Sequence, residues 1–329
     1  MDAILNFGTS VILFLQSLGS WLIAPMNFFS FFGNELFFLF IAPVLLWCVD
    51  ATLGMRIGIG LLTSLSTNAI LKLAFHAPRP YWYDIRVQPY SSETSFGIPS
   101  AHAQNSVVLW SLLASWVKRP LAWVVAAAMI LLVSLSRMVL GMHFPGDILA
   151  GWVVGGLLVW AILRFEKPVL TWFRGRQITD QVVFVFAASL GLILTGALTR
   201  LALGAWTVPA GWVELAARAP GGTPITPLAL SGLVSSAASF FGLALGGILL
   251  YQRGWLDTSG SFWQRLRRFL VGVAGVFIIW YGLDKLFPGG ETIIPLVLRY
   301  LRYAAVGLWM GYLAPLSFFR LNLAKPKYQ

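Results

Sequence analysis

Pro99-Ser100-Ala101-His102 opens the stretch whose reading decides this fold. It continues through an apolar run, 103–117, the basic turn Lys118-Arg119-Pro120, and a second apolar run, 121–135. It closes on Ser136-Arg137-Met138-Val139-Leu140-Gly141-Met142-His143-Phe144-Pro145-Gly146-Asp147. Two apolar runs joined by a short turn predict an antiparallel helical hairpin. A hairpin returns its far ends to one level, so His102 and His143 are expected on the same membrane face. Just upstream, Lys72 is followed by Arg79-Pro80 at the end of another apolar run. Three cations, two histidines and a carboxylate are thus expected at one membrane surface, a cluster suited to a phosphoryl group.

The composition places that hairpin in a bilayer. Of 329 residues, 58% are hydrophobic and 11% charged, against about a quarter charged in soluble domains. The runs Ile57–Leu71, Pro120–Ser136, Ile148–Leu163, Gln181–Thr199 and Ala219–Gln252 carry no charge. With their flanks, several reach the ~20 residues that a transmembrane helix requires. The fold class is therefore all-α, a polytopic helical membrane protein of about nine spans. The N-terminus lacks the basic start and cleavage site of a secretory signal, so it is kept as part of the mature chain.

The net charge of +11 would raise nucleic acid as a partner in a soluble protein. Here the positive-inside rule accounts for it. Arg56, Lys118, Arg119, Arg164, Lys167, Arg174, Arg176, Arg253, Arg265, Arg267, Arg268, Arg320, Lys325 and Lys327 fall on one side, read as cytoplasmic. Lys72, Arg79, Arg86, Arg137, Arg200, Arg218, Lys285, Arg299 and Arg302 are left on the other, and Lys72, Arg79 and Arg137 of these belong to the cluster. That layout points to a bacterial inner membrane with the site facing the periplasm or exterior. Cys48, the only cysteine, lies in an apolar run and reads as a small core residue.

Three regions follow along the chain. Residues 1–34 are uncharged after Asp2 but mixed; Gln16 and Ser20, four apart, share a helical face opposite Phe14, Leu18 and Leu22. That pattern favours an external interfacial helix over an extra span. Residues 35–165 form the core, crossing inward over Glu35–Val49 and outward over Ile57–Phe75. The polar loop His76–Ile98 follows, with Tyr81, Trp82 and Tyr83 suited to the headgroup level. The hairpin comes next, then Pro145, at home in a first helical turn, and an inward span Ile148–Phe165. Gly151, Gly155 and Gly156 present a small-residue face for close helix packing.

Residues 166–329 hold further spans, with Glu166–Asp180 read as a cytoplasmic connector and Arg253–Arg268 as a basic segment on anionic headgroups. No signature is legible in these C-terminal helices.

Phosphoryl transfer needs neutralised oxygens, an in-line nucleophile and a proton for the leaving group. Lys72, Arg79 and Arg137 supply positive charge, the arginines through planar forks. Ser100 and Ala101 begin a helix whose free N–H groups bind anions. His143 is the best nucleophile, with Asp147 near enough to orient its ring. His102 protonates the leaving oxygen and then activates water. Taken singly, each residue has a plainer reading. Lys72 snorkels, Arg137 anchors at the interface, and Asp147 is a helix N-terminal acid. His76 reads as a loop residue without a chemical role. Asp84, Arg86 and Glu93 read as a solvated loop more than as a substrate entrance. Arg299 and Arg302, on one face of the last helix, pair with Asp284 or hold lipid headgroups. Two histidines among several cations disfavour a metal, and no cofactor is expected.

Lys72–x6–Arg79-Pro80, Pro99-Ser100-Ala101-His102 and Ser136-Arg137–x5–His143–x3–Asp147 together resemble the three-part signature of the type 2 phosphatidic acid phosphatase superfamily. Lipid phosphate phosphatases, polyprenyl diphosphate phosphatases, glucose-6-phosphatase and vanadium haloperoxidases belong to it. The resemblance covers residues 35–165 and departs at Ala101, where the family usually has glycine. It implies a metal-free phosphohistidine mechanism acting on a phosphorylated lipid among membrane lipids, with a sugar phosphate as the alternative. A non-hydrolytic lipid-phosphate carrier is the reading from another class.

Overall fold

The computed structural model describes residues 2–221 and 224–328, and among these the regular elements are all helices. Helix α1 spans Asp2–Ser17 and α2 spans Ile23–Phe31, with a 3₁₀ turn at Ser20–Leu22 between them. The two arms meet at 92°, because Gly19 takes φ +116°, a conformation that only glycine adopts freely. Gln16 and Ser20 therefore do not share one helical face, a correction to the sequence expectation. Gln16 instead donates from Nε2 to the carbonyls of Gln88 at 2.8 Å and Val139 at 3.1 Å.

Helix α3 (Glu35–Val44) contains Pro43 and runs on as a π turn over Leu45–Val49. Helix α4 is Ala51–Phe75 and α5 the single turn Pro80–Tyr83. The hairpin forms as expected from α6 (Ala101–Val117) and α7 (Pro120–Val139). Ser100 caps α6 by accepting from the Ala103 N–H, Lys118 ends it in the left-handed conformation, and Pro120 fills the first turn of α7.

Helix α8 runs from Pro145 to Arg174, through Pro168. The connector expected from Glu166 is thus largely helix: a proline removes one hydrogen bond, and the apolar flanks carry the helix past it. Helices α9 (Ile178–Ala202), α10 (Ala210–Ala216), α11 (Ser231–Gln252) and α12 (Phe262–Leu286) follow. Last come α13 (Ile293–Leu308), a π turn at Trp309–Leu313, and α14 (Ala314–Arg320).

Seven of these segments are long and apolar enough to cross a bilayer. Glu35–Val49 and α6, at 17 residues, are shorter. Large apolar side chains are exposed along α7, α8 and α9, including Leu121, Val124, Val153, Leu157, Val183 and Leu194. Outward-facing side chains of that kind belong against lipid, and the chain is an integral membrane protein.

The chain divides into two compact units. The first gathers 1–38, 67–160 and 196–229, so the N-terminal helices belong with the hairpin. In it α6 and α8 approach closely: a Cβ on Gly151 would lie 2.8 Å from the Ser100 carbonyl oxygen, and one on Gly155 2.7 Å from that of Gln104. Gly156 faces open space. The second unit gathers 39–66, 161–195 and 230–329, around a core that includes Leu46, Trp47, Leu243, Val306 and Phe318. Cys48 is buried there, its Sγ 3.3 Å from the Arg265 carbonyl oxygen. Arg56 and Glu166, expected on one membrane side, pair at 2.8 Å.

Candidate active site

All the proposed site residues fall in the first unit. Helix α4 delivers Lys72 three residues before its end, buried among polar partners; its Nζ donates to Ser95 Oγ at 2.9 Å and the Phe96 carbonyl at 2.6 Å. One turn earlier, Asn68 donates to the Pro99 carbonyl at 3.2 Å and to Gln104 Oε1 at 2.9 Å, tying the start of α6 to α4. Arg79 opens α5 and is buried. Its Nε donates to the Ser95 carbonyl at 2.6 Å, and its Nη1 to the Met142 carbonyl at 3.2 Å.

The histidine that follows α7 sits between a carboxylate and this guanidinium. His143 Nδ1 lies 3.2 Å from Asp147 Oδ2, and its Nε2 lies 3.2 Å from Arg79 Nη1. Asp147 is held in turn, its Oδ2 accepting from the Phe144 N–H at 2.9 Å and its carbonyl from the Ser100 N–H at 2.9 Å. Only a neutral imidazole with its proton on Nδ1 donates to Asp147 while accepting at Nε2 from Arg79. Burial first, and then the Arg79 charge, hold the His143 pKa well below the ordinary imidazole range, which favours the neutral ring.

Neutral imidazole is the form that attacks phosphorus. Acidification through pH 6.5 is therefore expected to leave kcat/KM unlimited by His143 protonation, and the corresponding acid limb should lie well below that value. A pH–rate profile with a limb at 6.5 assignable to His143 would contradict this.

Arg137, at the end of α7, is buried and spans two partners, donating to Ser30 Oγ at 2.8 Å and to Glu93 Oε1 at 2.7 Å. Ala101 and His102 begin α6 and are partly exposed. The His102 ring rests against α2–α3: a Cβ on Gly33 would come 2.7 Å from its Cδ2 and 2.8 Å from Val133 Cγ1. Gly33→Ala is expected to displace the imidazole and lower turnover roughly tenfold. Steady-state kinetics beside a melting curve would separate that effect from unfolding.

One expectation is overturned. Glu93 does not stand in a solvated loop; its carboxylate lies between Arg137, at 2.7 Å, and Arg79 Nη2, at 3.7 Å. Those arginines, with Lys72 and His102, outweigh its burial and bring its pKa down to about 2, so it is ionised at any working pH. The charge balance held a signal for it. Asp147 is committed to His143, and Asp84 is bound by Arg86 at 2.7 Å, which leaves Glu93 as the loop acid available to three buried cations.

A phosphate oxygen between the two arginines would compete with this carboxylate. Glu93→Gln is expected to tighten vanadate inhibition a few-fold. It should also lower the melting temperature, because a buried cation loses its partner. Vanadate should restore that temperature, and an unchanged inhibition constant would show that Glu93 does not share the anion position. Sequence reasoning also missed Ser30, Gly33, Asn68, Ser95 and Gln104, which carry no motif. His76 stays outside the cluster, its ring edge-on to Trp206 at 5.0 Å.

Loops of the same unit close around this cluster. Thr226 N–H donates to the Thr94 carbonyl at 3.1 Å, Arg218 to that of Ile85 at 2.9 Å, and Tyr83 Oη to Asn6 Oδ1 at 3.0 Å. Two histidines, three cations and two carboxylates thus meet where the ends of α4, α6, α7 and α8 adjoin α5 and the 84–98 loop.

That combination defines an integral membrane protein with a buried, cation-lined histidine site. The chain belongs to the PAP2 superfamily. Residues 53–171 match the superfamily itself, and residues 234–326 match the PAP2 superfamily phosphatase, transmembrane extension. The C-terminal helices, where the sequence showed no legible signature, thus have a recognised counterpart.

Among curated proteins, the chain is 28% identical over 111 residues to phosphatidylglycerophosphatase B of Bacillus subtilis, 31% of this chain and 52% of that one. It is 26% identical to glucose-6-phosphatase 3 of Bos taurus, over 74% of this chain and 77% of that one. It is 35% identical to lipid A 4'-phosphatase of Bacteroides thetaiotaomicron, over 30% of this chain and 48% of that one. The match spans about half the length of the first and third of these relatives.

Proposed function

We propose that this protein hydrolyses a phosphomonoester or diphosphate through a phosphohistidine at His143. The observation that carries the reading is the double engagement of that ring, Nδ1 on Asp147 and Nε2 facing Arg79, beside Lys72 and Arg137. When substrate enters, Arg79 shifts its Nη1 hydrogen bond from the imidazole to a phosphate oxygen, which frees the Nε2 lone pair. An N–P bond forms as the P–O bond to the leaving group breaks, and His102 hands that oxygen a proton. His102 then takes a proton from water, whose oxygen attacks phosphorus and returns His143 to the neutral form. Lys72, Arg79 and Arg137 hold the equatorial oxygens, with the free N–H groups at the start of α6. Their charge already serves the role a divalent ion would have, so activity is expected to persist in excess chelator.

The preferred substrate is a lipid phosphate in the external leaflet, such as phosphatidate, phosphatidylglycerophosphate or a polyprenyl diphosphate. A site among membrane-spanning helices, and relatives named as phosphatidylglycerophosphatase and lipid A phosphatase, support that choice. The sugar-phosphate alternative draws on the length of the glucose-6-phosphatase match. The nine-span layout, with external N-terminus and cytoplasmic C-terminus, and the division at residues 34 and 165 belong to the same proposal.

Phosphate release from lipid and sugar phosphates, assayed side by side on the detergent-solubilised protein, tests it. Release from lipids alone supports the first substrate class and release from sugar phosphates alone the second. Vanadate binding with no release from any phosphoester would establish a carrier instead.

A further inference from the structure

The second unit carries a cluster of charge that phosphoryl chemistry at His143 does not use. Arg299 and Arg302 lie about 9 and 14 Å along α13 from its first residue, at 1.5 Å per residue. Their helix turns Ile293, Ile294, Val297 and Leu301 outward, more than half exposed, as a lipid-facing stripe. Arginine at such depth is expensive and is kept for a reason. Arg302 is 5% exposed and pairs with Asp284 of α12, while its Nε finds no hydrogen-bond partner. Arg299 donates to Ser235 Oγ at 3.2 Å and lies 5.9 Å from the Tyr303 ring, and among the described residues no carboxylate pairs with it.

The two guanidiniums hold about ten N–H donors. Among the described residues, one side-chain bond each is their share. The other acid nearby, Glu291, is occupied in accepting from the Leu230 N–H at 2.8 Å.

Arg299, Arg302 and Asp284 line a cavity of about 190 Å³ under the α12–α13 turn, bounded also by Phe287, Pro288, Gly289, Gly290 and Pro295, so that its two cations exceed its one carboxylate. It is smaller than the roughly 300–1,000 Å³ that whole drug-sized ligands occupy, so it suits a headgroup-sized anion. The same helix pair carries a separate groove of about 430 Å³, lined by Ile278, Leu283, Leu286 and Leu308 among other apolar residues, with room for an acyl chain.

From the surplus positive charge, the unfilled donors, the small cavity and the neighbouring apolar groove, we infer that the α12–α13 turn is a second anion site, taking the phosphate of a phospholipid headgroup. Planar guanidiniums match phosphate oxygens two at a time, and Arg299 offers the uncompensated charge. The site is independent of the reaction proposed above, since neither arginine belongs to the His143 cluster.

Native mass spectrometry of the full-length protein in detergent tests it, with phosphatidylglycerol, phosphatidylcholine and inorganic phosphate as probes. Wild type is expected to retain phosphatidylglycerol at least fivefold more than Arg299→Gln, at equal melting temperature. Phosphatidylcholine, whose own cation offsets its phosphate, should be held less. Arg299→Gln keeps a donor for Ser235 and leaves the Arg302–Asp284 pair intact; Arg299→Lys, which keeps charge without the fork, should fall between. Loss of inorganic phosphate binding in Arg299→Gln without a lipid difference would assign the site to free phosphate. Equal retention of all three probes by wild type and both variants would overturn it.

Discussion

His143→Ala is expected to abolish phosphate release, by roughly 10⁴-fold or more, the scale on which loss of a covalent nucleophile is felt. Nothing nearby replaces it. The His102 ring rests against Gly33 at the start of α6, and Asp147 is engaged by the Phe144 N–H as well as by the imidazole. A second measurement tells loss of the nucleophile from general damage. Acid-stable, base-labile chemistry is not that of phosphohistidine, so labelled substrate quenched in base should leave phosphate on wild type and none on His143→Ala. His102→Ala, which still has the nucleophile but lacks the base for water, should turn over slowly and accumulate label when the leaving group is a good one. Wild-type-like hydrolysis by His143→Ala would remove the mechanism.

Arg137→Lys should cost roughly 10²–10³-fold in kcat/KM, comparable to losing one preorganised donor at a developing charge. The arginine reaches Ser30 Oγ with one nitrogen and Glu93 Oε1 with another, and so fixes α2 and the 84–98 loop relative to the phosphate position. A lysine carries one nitrogen and keeps one of these partners at a time. Because the charge on Glu93 remains paired, the melting temperature should fall little while vanadate affinity drops with kcat/KM. A large fall in melting temperature with kinetics intact would make Arg137 a structural residue.

These expectations differ in how far they were readable from the chain itself. The hairpin was legible because charge and proline punctuate it at Lys118-Arg119-Pro120, and its length alone brings His102 and His143 to one level. His143 and Asp147 were legible as a pair because they lie four residues apart. Glu93 was not. Its partners lie 14 residues before it and 44 after it, and only the folded 84–98 loop carries its carboxylate to both. Gly33 was equally silent, since its meaning lies in the His102 ring that fills the space a methyl would take. The break at Gly19 and the passage of α8 through Pro168 were not legible either: a glycine permits a positive φ without requiring it, and a proline removes one helical hydrogen bond without forcing the helix to end.

The sequence by itself determined the class of molecule, a helical membrane protein with one polar cluster of fixed composition. Apolar runs have no stable alternative in lipid to closing their own hydrogen bonds as helices. The tertiary structure alone decided which anion balances the buried arginines, which nitrogen of His143 faces them, and where Arg299 and Arg302 enclose a cavity. Those are matters of distance between residues far apart in the chain, and a guanidinium out of water takes whichever partner the fold brings within reach.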